Sequence, residues 1–140
     1  VKLYHFTADR FLPGIKSDGL TKGVFPLDCK GKLFFINNCQ WLTKNPEFIQ
    51  PWHDPEFSTL PYDRRENRLT LNIPKTHMKK LFNWNDIENK FKPYFIQDFD
   101  FHDDKYNWHI FIGRIKPSWI REIEKRPAIP GLTLNQEAGT

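Results

Sequence analysis

Proline sets the ceiling on element length in this chain. Eleven prolines are spread through 140 residues. Each removes a backbone donor and fixes φ, so an interior proline ends a helix or a central strand. The sequence therefore reads as a series of short elements. What can hold short elements together here is aromatic: thirteen Phe, five Trp and four Tyr supply large buried areas. That content is foreign to disordered or low-complexity chains. The length suits one real core and falls short of two comfortable domains. The expected organisation is one α+β domain over 1–126, followed by a weakly tied tail over 127–140.

The longest unbroken apolar run is Leu33 to Ile36, so neither a membrane span nor a secretory leader is visible. Lys and Arg number 21 against 17 acidic residues, a net charge of +4. That balance permits a polyanionic partner without demanding one. Cys29 and Cys39 allow one disulfide, but a chain of this size folds without a staple. Whether the two pair is left open by the spacing, and a reducing cytoplasm is the expected location.

Leu3 to Thr7 reads as an opening strand. Ala8, Phe11, Leu12 and Ile15 then follow one helical face. Pro13 fits near the first turn, and Gly19 closes the helix at a left-handed position. Leu33–Ile36 and Gln40–Thr43 are strand candidates. Asn45 and Pro46 have the form of a helix cap and first helical residue. Gln50 to Arg68, with Pro51, Pro55 and Pro61, reads as a long loop. Leu69 to Ile73 alternates apolar and polar and stops at Pro74, the cleanest half-buried strand signal present. Thr76–Leu81 reads as a short helix or turn. Trp84–Phe91 reads as a helix capped by Asn85, with Glu88 in the capping-box position. Trp108–Ile115 is a further strand, with Gly113 marking a bulge or close approach. Trp119–Glu124 is the last patterned stretch. Without regular βαβ spacing or internal repeats, the pattern predicts α+β rather than a doubly wound sheet.

Glycine-rich phosphate loops are absent, as are HExxH, CxxC, GxSxG and the homeodomain and zinc-finger signatures. Asp98, Asp100 and His102 would share one side of an extended strand, which a metal could use. A solvated acidic loop is the plainer account, and no metal is expected. Arg64, Arg65 and Arg68 could fork onto phosphate oxygens or remain solvated loop charges. Lys79 and Lys80 are a weaker basic pair. Of the tryptophans, Trp41 and Trp119 read as core. Trp52, beside His53 and Asp54, reads as the exposed one. His5 sits between Tyr4 and Phe6 and shares a face with Leu3 and Thr7. It suits either a core imidazole bonded to a backbone carbonyl or a ligand-facing donor in a sheet cleft.

The segment Leu3-Tyr4-His5-Phe6-Thr7, followed by Phe11 to Leu20 and its Gly19-Leu20 turn, resembles the start of small ADP-ribosyltransferase-like proteins. That group includes the diphtheria-toxin-like transferases and the RNA 2′-phosphotransferases. Gln40-Trp41-Leu42-Thr43 is similar to their second-strand pattern, Leu69 to Pro74 to a later strand, and Tyr106 to Ile120 to their closing segment. The resemblance covers most of residues 3–124. It implies two small, bent, antiparallel or mixed sheets with short helices, and NAD bound in the cleft between the sheets.

By the same resemblance, His5 would hold the nicotinamide ribose, Trp41 would pack on the nicotinamide, and Thr43 would lie beside it. Thr7 would line the same cleft, and Arg10 or Arg65 would meet the pyrophosphate. A carboxylate should stand just before the last long strand, where positive charge at the anomeric carbon needs it. This chain has Asn107 there. Asp104 is the stand-in taken here, with Asp103, Glu122 and Glu124 as the other nearby acids.

The expected activity is transfer of ADP-ribose from NAD to a protein or nucleic-acid acceptor, with the loop from Trp52 to Tyr62 facing that acceptor. Two other readings compete: a non-catalytic binding or inhibitory module for a protein partner, and a small RNA-binding or nuclease domain.

Overall fold

The computed structural model describes residues 2–48, 50, 61–96 and 102–127. It shows a mixed α+β architecture of two antiparallel sheets and short helices. In chain order the elements are β1 (Lys2–Thr7), α1 (Leu12–Asp18), β2 (Val24–Cys29), β3 (Lys32–Asn37), β4 (Cys39–Thr43), β5 (Asn67–Asn72), β6 (Leu81–Asn83), α2 (Trp84–Phe91), β7 (Trp108–Ile112) and β8 (Ile120–Lys125). Six strands form one sheet in the order β6-β7-β4-β1-β5-β8, and β2 and β3 form a separate ribbon. No described helix is long and apolar enough to cross a membrane.

Strand alternation sorts the core into two apolar clusters. On one face of the sheet, Leu3, Leu42, Leu69, Leu71 and Phe111 pack with Ile15 of α1 and with Leu20, Ile115 and Trp119. On the other, Cys39, Trp108 and Ile110 pack with Phe25 and Leu27 of the ribbon and Trp84 and Ile87 of α2. Burying each such aliphatic or aromatic side chain contributes roughly 1.5–3 kcal/mol. β4 and β7 carry side chains to both clusters, and that shared position fixes their register.

α1 begins beside Pro13, at a first-turn position where its missing donor costs nothing. It ends at Gly19, whose φ is +81°. A Cβ there would stand 1.9 Å from the Ile115 carbonyl oxygen. Glycine is therefore required by a close approach as well as by φ. Just beyond it, Leu20 and Ile115 exchange backbone hydrogen bonds at 3.0 Å each way.

Several local expectations need correction. Asn45 caps no helix: its Oδ1 accepts from the Glu47 backbone at 3.0 Å while its own N–H donates to Thr43 Oγ1. Asn45 thus closes an Asx turn, the conformation that competes with helix for this residue type. The cap of α2 is Asn83, not Asn85, and the reciprocal partner is Asp86, not Glu88. The loop placed at 50–68 gives way to β5 at Asn67, and its residues 51–60 lie outside the described residues, as do 128–140. β2 went unread because Pro26 and Asp28 interrupt its apolar pattern. Pro26 sits on a ribbon, where a missing donor is tolerated.

Candidate functional site

β1 and β4 are hydrogen-bonded neighbours at a single register pair, Tyr4 opposite Thr43. By contrast, β1 pairs with β5 from Lys2↔Asn72 to Thr7↔Asn67, and β4 pairs with β7 along its whole length. The large sheet is thus two three-stranded halves, β6-β7-β4 and β1-β5-β8, joined at a seam. Where the seam opens there is a cleft of about 780 Å³, walled by β1, β4, α1, residues 19–24 and the 62–64 turn. That volume lies within the usual range of small-molecule sites, about 300–1,000 Å³.

His5 stands at the opening. Its Nδ1 donates to the Trp41 carbonyl oxygen at 2.9 Å, taking up a backbone acceptor beside which the strand ladder has stopped. A carbonyl only accepts, so the proton is on Nδ1 and Nε2 keeps its lone pair. His5 is bonded to a backbone carbonyl and also lines the cleft. With Nδ1 engaged, the remaining ring nitrogen is an acceptor, where a donor was expected. Burial drives its pKa below 6.5, partly opposed by the Trp41 hydrogen bond, and the Arg64 charge lowers it further. Burial thus favours the neutral ring.

Trp41 is half-buried beside it. Its Nε1 donates to the Val24 carbonyl at 3.0 Å, and its ring lies 5.1 Å from Phe25 and 6.0 Å from Trp108. β4 and β2 are pinned together by that bond. Gln40, 2% exposed, completes the floor. Its Oε1 accepts from Gly23 N, and its Nε2 donates to Asn38 Oδ1 and the Gly113 carbonyl. One amide therefore ties the cleft wall at residue 23 to the end of β7.

The charge of the lining is mostly positive. Arg10, Lys22 and Arg64 reach the cleft, against one carboxylate among the lining residues, Asp18. The Arg10 guanidinium sits 5.0 Å from the centre of the Tyr62 ring, a cation–π contact that holds it at the rim. Such a lining suits a ligand with an aromatic end and an anionic linker.

The residues expected at the site separate into two groups. His5, Thr7, Arg10, Trp41 and Thr43 all line the cleft. Arg65 does not: its guanidinium pairs with Asp63 at 3.2 Å, and its neighbour Arg64 faces the cleft instead. Asp104 also lies outside the lining. It is buried, its Oδ2 accepting from Trp108 Nε1 at 2.9 Å and its Oδ1 from Asn107 and Asn45. Glu122 and Glu124 lie on β8, where Glu124 pairs with Arg68 at 2.8 Å. Trp52, His53, Asp54, Asp98 and Asp100 fall outside the described residues. His102 opens a 3-10 turn, His102–Asn107, rather than sitting in a strand. Among the described residues, no group of three or more His, Cys, Asp or Glu could hold a metal.

Comparison with protein-family models, with curated proteins and with solved structures finds no match.

Sequence reasoning missed Gln40 in its positioning role, along with Lys22, Asp18 and Tyr62. Gln40 offered one signal, a polar residue in an apolar strand candidate. Lys22 and Tyr62 lie where no periodicity operates, and Asp18 is the last residue of α1.

Proposed function

We propose that the seam cleft binds NAD and that the chain is an ADP-ribosyltransferase-like protein, in fold and in the use of its cleft. The observation that carries the reading is His5: an imidazole bridging two strands where their ladder stops, with Nε2 left to accept from a ribose hydroxyl. Arg10, Lys22 and Arg64 supply the positive charge that a pyrophosphate requires. Trp41 offers a ring edge for the nicotinamide. The division of the sheet into two three-stranded halves supports the same reading.

In the transfer reaction, the bond between nicotinamide nitrogen and ribose C1′ breaks and neutral nicotinamide leaves. An acceptor nucleophile bonds to C1′ and loses its proton. Positive charge builds on the ribose, and a carboxylate beside it would lower the barrier. With both oxygens of Asp104 engaged elsewhere, Asp18 is the acid available among the lining residues.

Calorimetric titration with NAD tests the binding reading. Saturable binding that weakens at least tenfold in both His5→Ala and Arg64→Ala is the expected result. Heats that stay linear to about millimolar NAD, roughly the −4 kcal/mol limit of useful affinity, would overturn it. A second reading, a non-catalytic binding module, draws on the engagement of Asp104. Binding of NAD without nicotinamide release, with protein and single-stranded nucleic-acid acceptors both offered, would select that reading.

A further inference from the structure

The β2–β3 ribbon carries an apolar surface that the cleft does not use. Lys30 and Gly31, with φ of +55° and +81°, form its two-residue turn, a connection that matches strand twist. Asp28 Oδ1 fastens the turn by accepting from Gly31 N at 2.8 Å. Beyond it Leu33, Phe34 and Phe35 are 55%, 48% and 53% exposed. Three consecutive large apolar residues in solvent on an edge strand are what folded proteins ordinarily avoid.

The hydrogen-bonding direction of this edge follows from the turn. Cys29 and Lys32 flank it as register partners, and in a two-residue hairpin that flanking pair is hydrogen-bonded. Lys32, Phe34 and Ile36 therefore bond to β2. Leu33, Phe35 and Asn37 turn their N–H and C=O groups outward. Among the described residues no third strand joins the ribbon.

We infer that a second copy of this chain covers the edge, β3 pairing antiparallel with β3 of the partner about a twofold axis at Phe35. This goes beyond the cleft reading and does not rest on it. A twofold axis normal to the ribbon keeps like faces together. Centring it on Phe35 pairs Phe35 with itself and Leu33 with Asn37, so every outward backbone group of the three residues is satisfied. The result is a continuous four-stranded sheet, β2-β3-β3-β2.

Charge permits this occupant. Lys32 of one copy would lie about six residues from Lys32 of the other, roughly 20 Å at strand rise. That exceeds the screening length of about 8–10 Å, so the net positive charge opposes pairing only weakly. The face shared by Val24, Pro26, Asp28, Leu33, Phe35 and Asn37 bears one carboxylate and no Lys or Arg, which disfavours a nucleic acid there.

Area sets the strength. Half of each Phe, at about 150–250 Å² per aromatic, together with the exposed half of Leu33, comes to at most roughly 250–350 Å² of side-chain surface per copy. A standard interface takes about 800 Å² per partner. With the backbone edge added, the contact is that of a weak, concentration-dependent dimer.

Sedimentation equilibrium on the full chain tests the inference. Monomer–dimer exchange with a midpoint between about 10 µM and about 1 mM is expected. Phe35→Lys, at a half-exposed side chain, should raise the midpoint at least tenfold with an unchanged circular dichroism spectrum. In a Cys29→Ser background, Phe35→Cys should form a disulfide-linked dimer on mild oxidation, because the axis brings the two copies of that residue within bonding range. Lys32→Cys should form none. A chain monomeric at about 1 mM, or crosslinking of Lys32→Cys equal to that of Phe35→Cys, would overturn it. Retention of a single-stranded oligonucleotide by a monomer, lost in Phe35→Lys, would assign the face to nucleic acid and overturn it equally.

Discussion

His5 Nδ1 lies 2.9 Å from the Trp41 carbonyl oxygen, across the seam where β1 and β4 part after Tyr4 and Thr43. The donor of the ring is consumed by the scaffold, so any ligand meets the acceptor. Burial also disfavours the imidazolium, placing the folded pKa below 6.5. The unfolded chain then takes up a proton before the folded one does, so stability falls as pH drops from about 6.5 through the folded value. Burial lowers the pKa of His109 in the same way, and the two contributions add. The expected outcome in a proton NMR titration is a His5 ring signal that titrates below 6.5 and remains neutral at pH 7. A midpoint at or above 6.5 would show that the ring is not held as described.

Asp104 is expected to act on stability and not on the cleft. Both of its oxygens accept hydrogen bonds, from Trp108 on one side and from Asn107 and Asn45 on the other. Asp104→Asn turns an NH₂ group against at least one of these donors. Leaving such a buried donor unpaired costs about 1–3 kcal/mol, roughly 5–10 °C in Tm for a chain of this size. NAD titration well below Tm should be unaltered. An unchanged Tm with lost binding or turnover would instead give the carboxylate a direct role in the site.

Two strands were legible because their signal is local. Leu69 to Ile73 alternates apolar and polar residues, Leu3 to Thr7 is a short apolar and aromatic run ending at Thr, and each overlaps a sheet strand. The seam was not legible, since it depends on where two strands 36 residues apart stop pairing, between His5 and Trp41. Five residues singled out on chain position or resemblance meet in the cleft. Arg65 and Asp104 do not, because a guanidinium or carboxylate next to a site in sequence goes to whichever partner is nearest in space. For Arg65 that partner is Asp63, two residues away. Gln40 shows the converse. A buried amide in an apolar strand looks like an interruption until Gly23 and Gly113, 17 residues before it and 73 after, are placed around it.

Two glycines in one short region should respond in opposite directions to alanine. At Gly19 the added Cβ would stand 1.9 Å from a backbone oxygen, and φ is +81°. Relief requires moving the Leu20–Ile115 pairing, and Gly19→Ala is expected to cost about 2–4 kcal/mol. At Gly14, inside α1, nothing lies within 4 Å of the built Cβ. Gly14→Ala should stabilise by about 0.5–1 kcal/mol through helix propensity and reduced freedom of the unfolded chain. Urea unfolding of the two variants decides the matter, and equal effects would sink the argument.

Asp63 clips the end of β8 to the turn that precedes β5. Its carboxylate accepts from the Arg65 backbone and side chain and from Arg126 at 2.8 Å, while Arg126 N donates to the Glu66 carbonyl. Burial pushes the carboxyl pKa up, but these hydrogen bonds and the Arg65 charge outweigh it and hold it at about 2, against an ordinary 3.8. The folded state thus favours the ionised form. Its stabilising contribution is whole above about pH 4 and is lost as pH falls through 3.8 toward 2. Asp63→Asn removes the charge and half of the acceptors, and should cost about 1–2 kcal/mol at neutral pH. It should also flatten the decline of Tm between pH 4 and pH 2 relative to the parent chain. Parallel Tm curves for parent and variant across that interval would mean that Asp63 titrates alike in the folded and unfolded states, and that the clip does not hold β8 in solution.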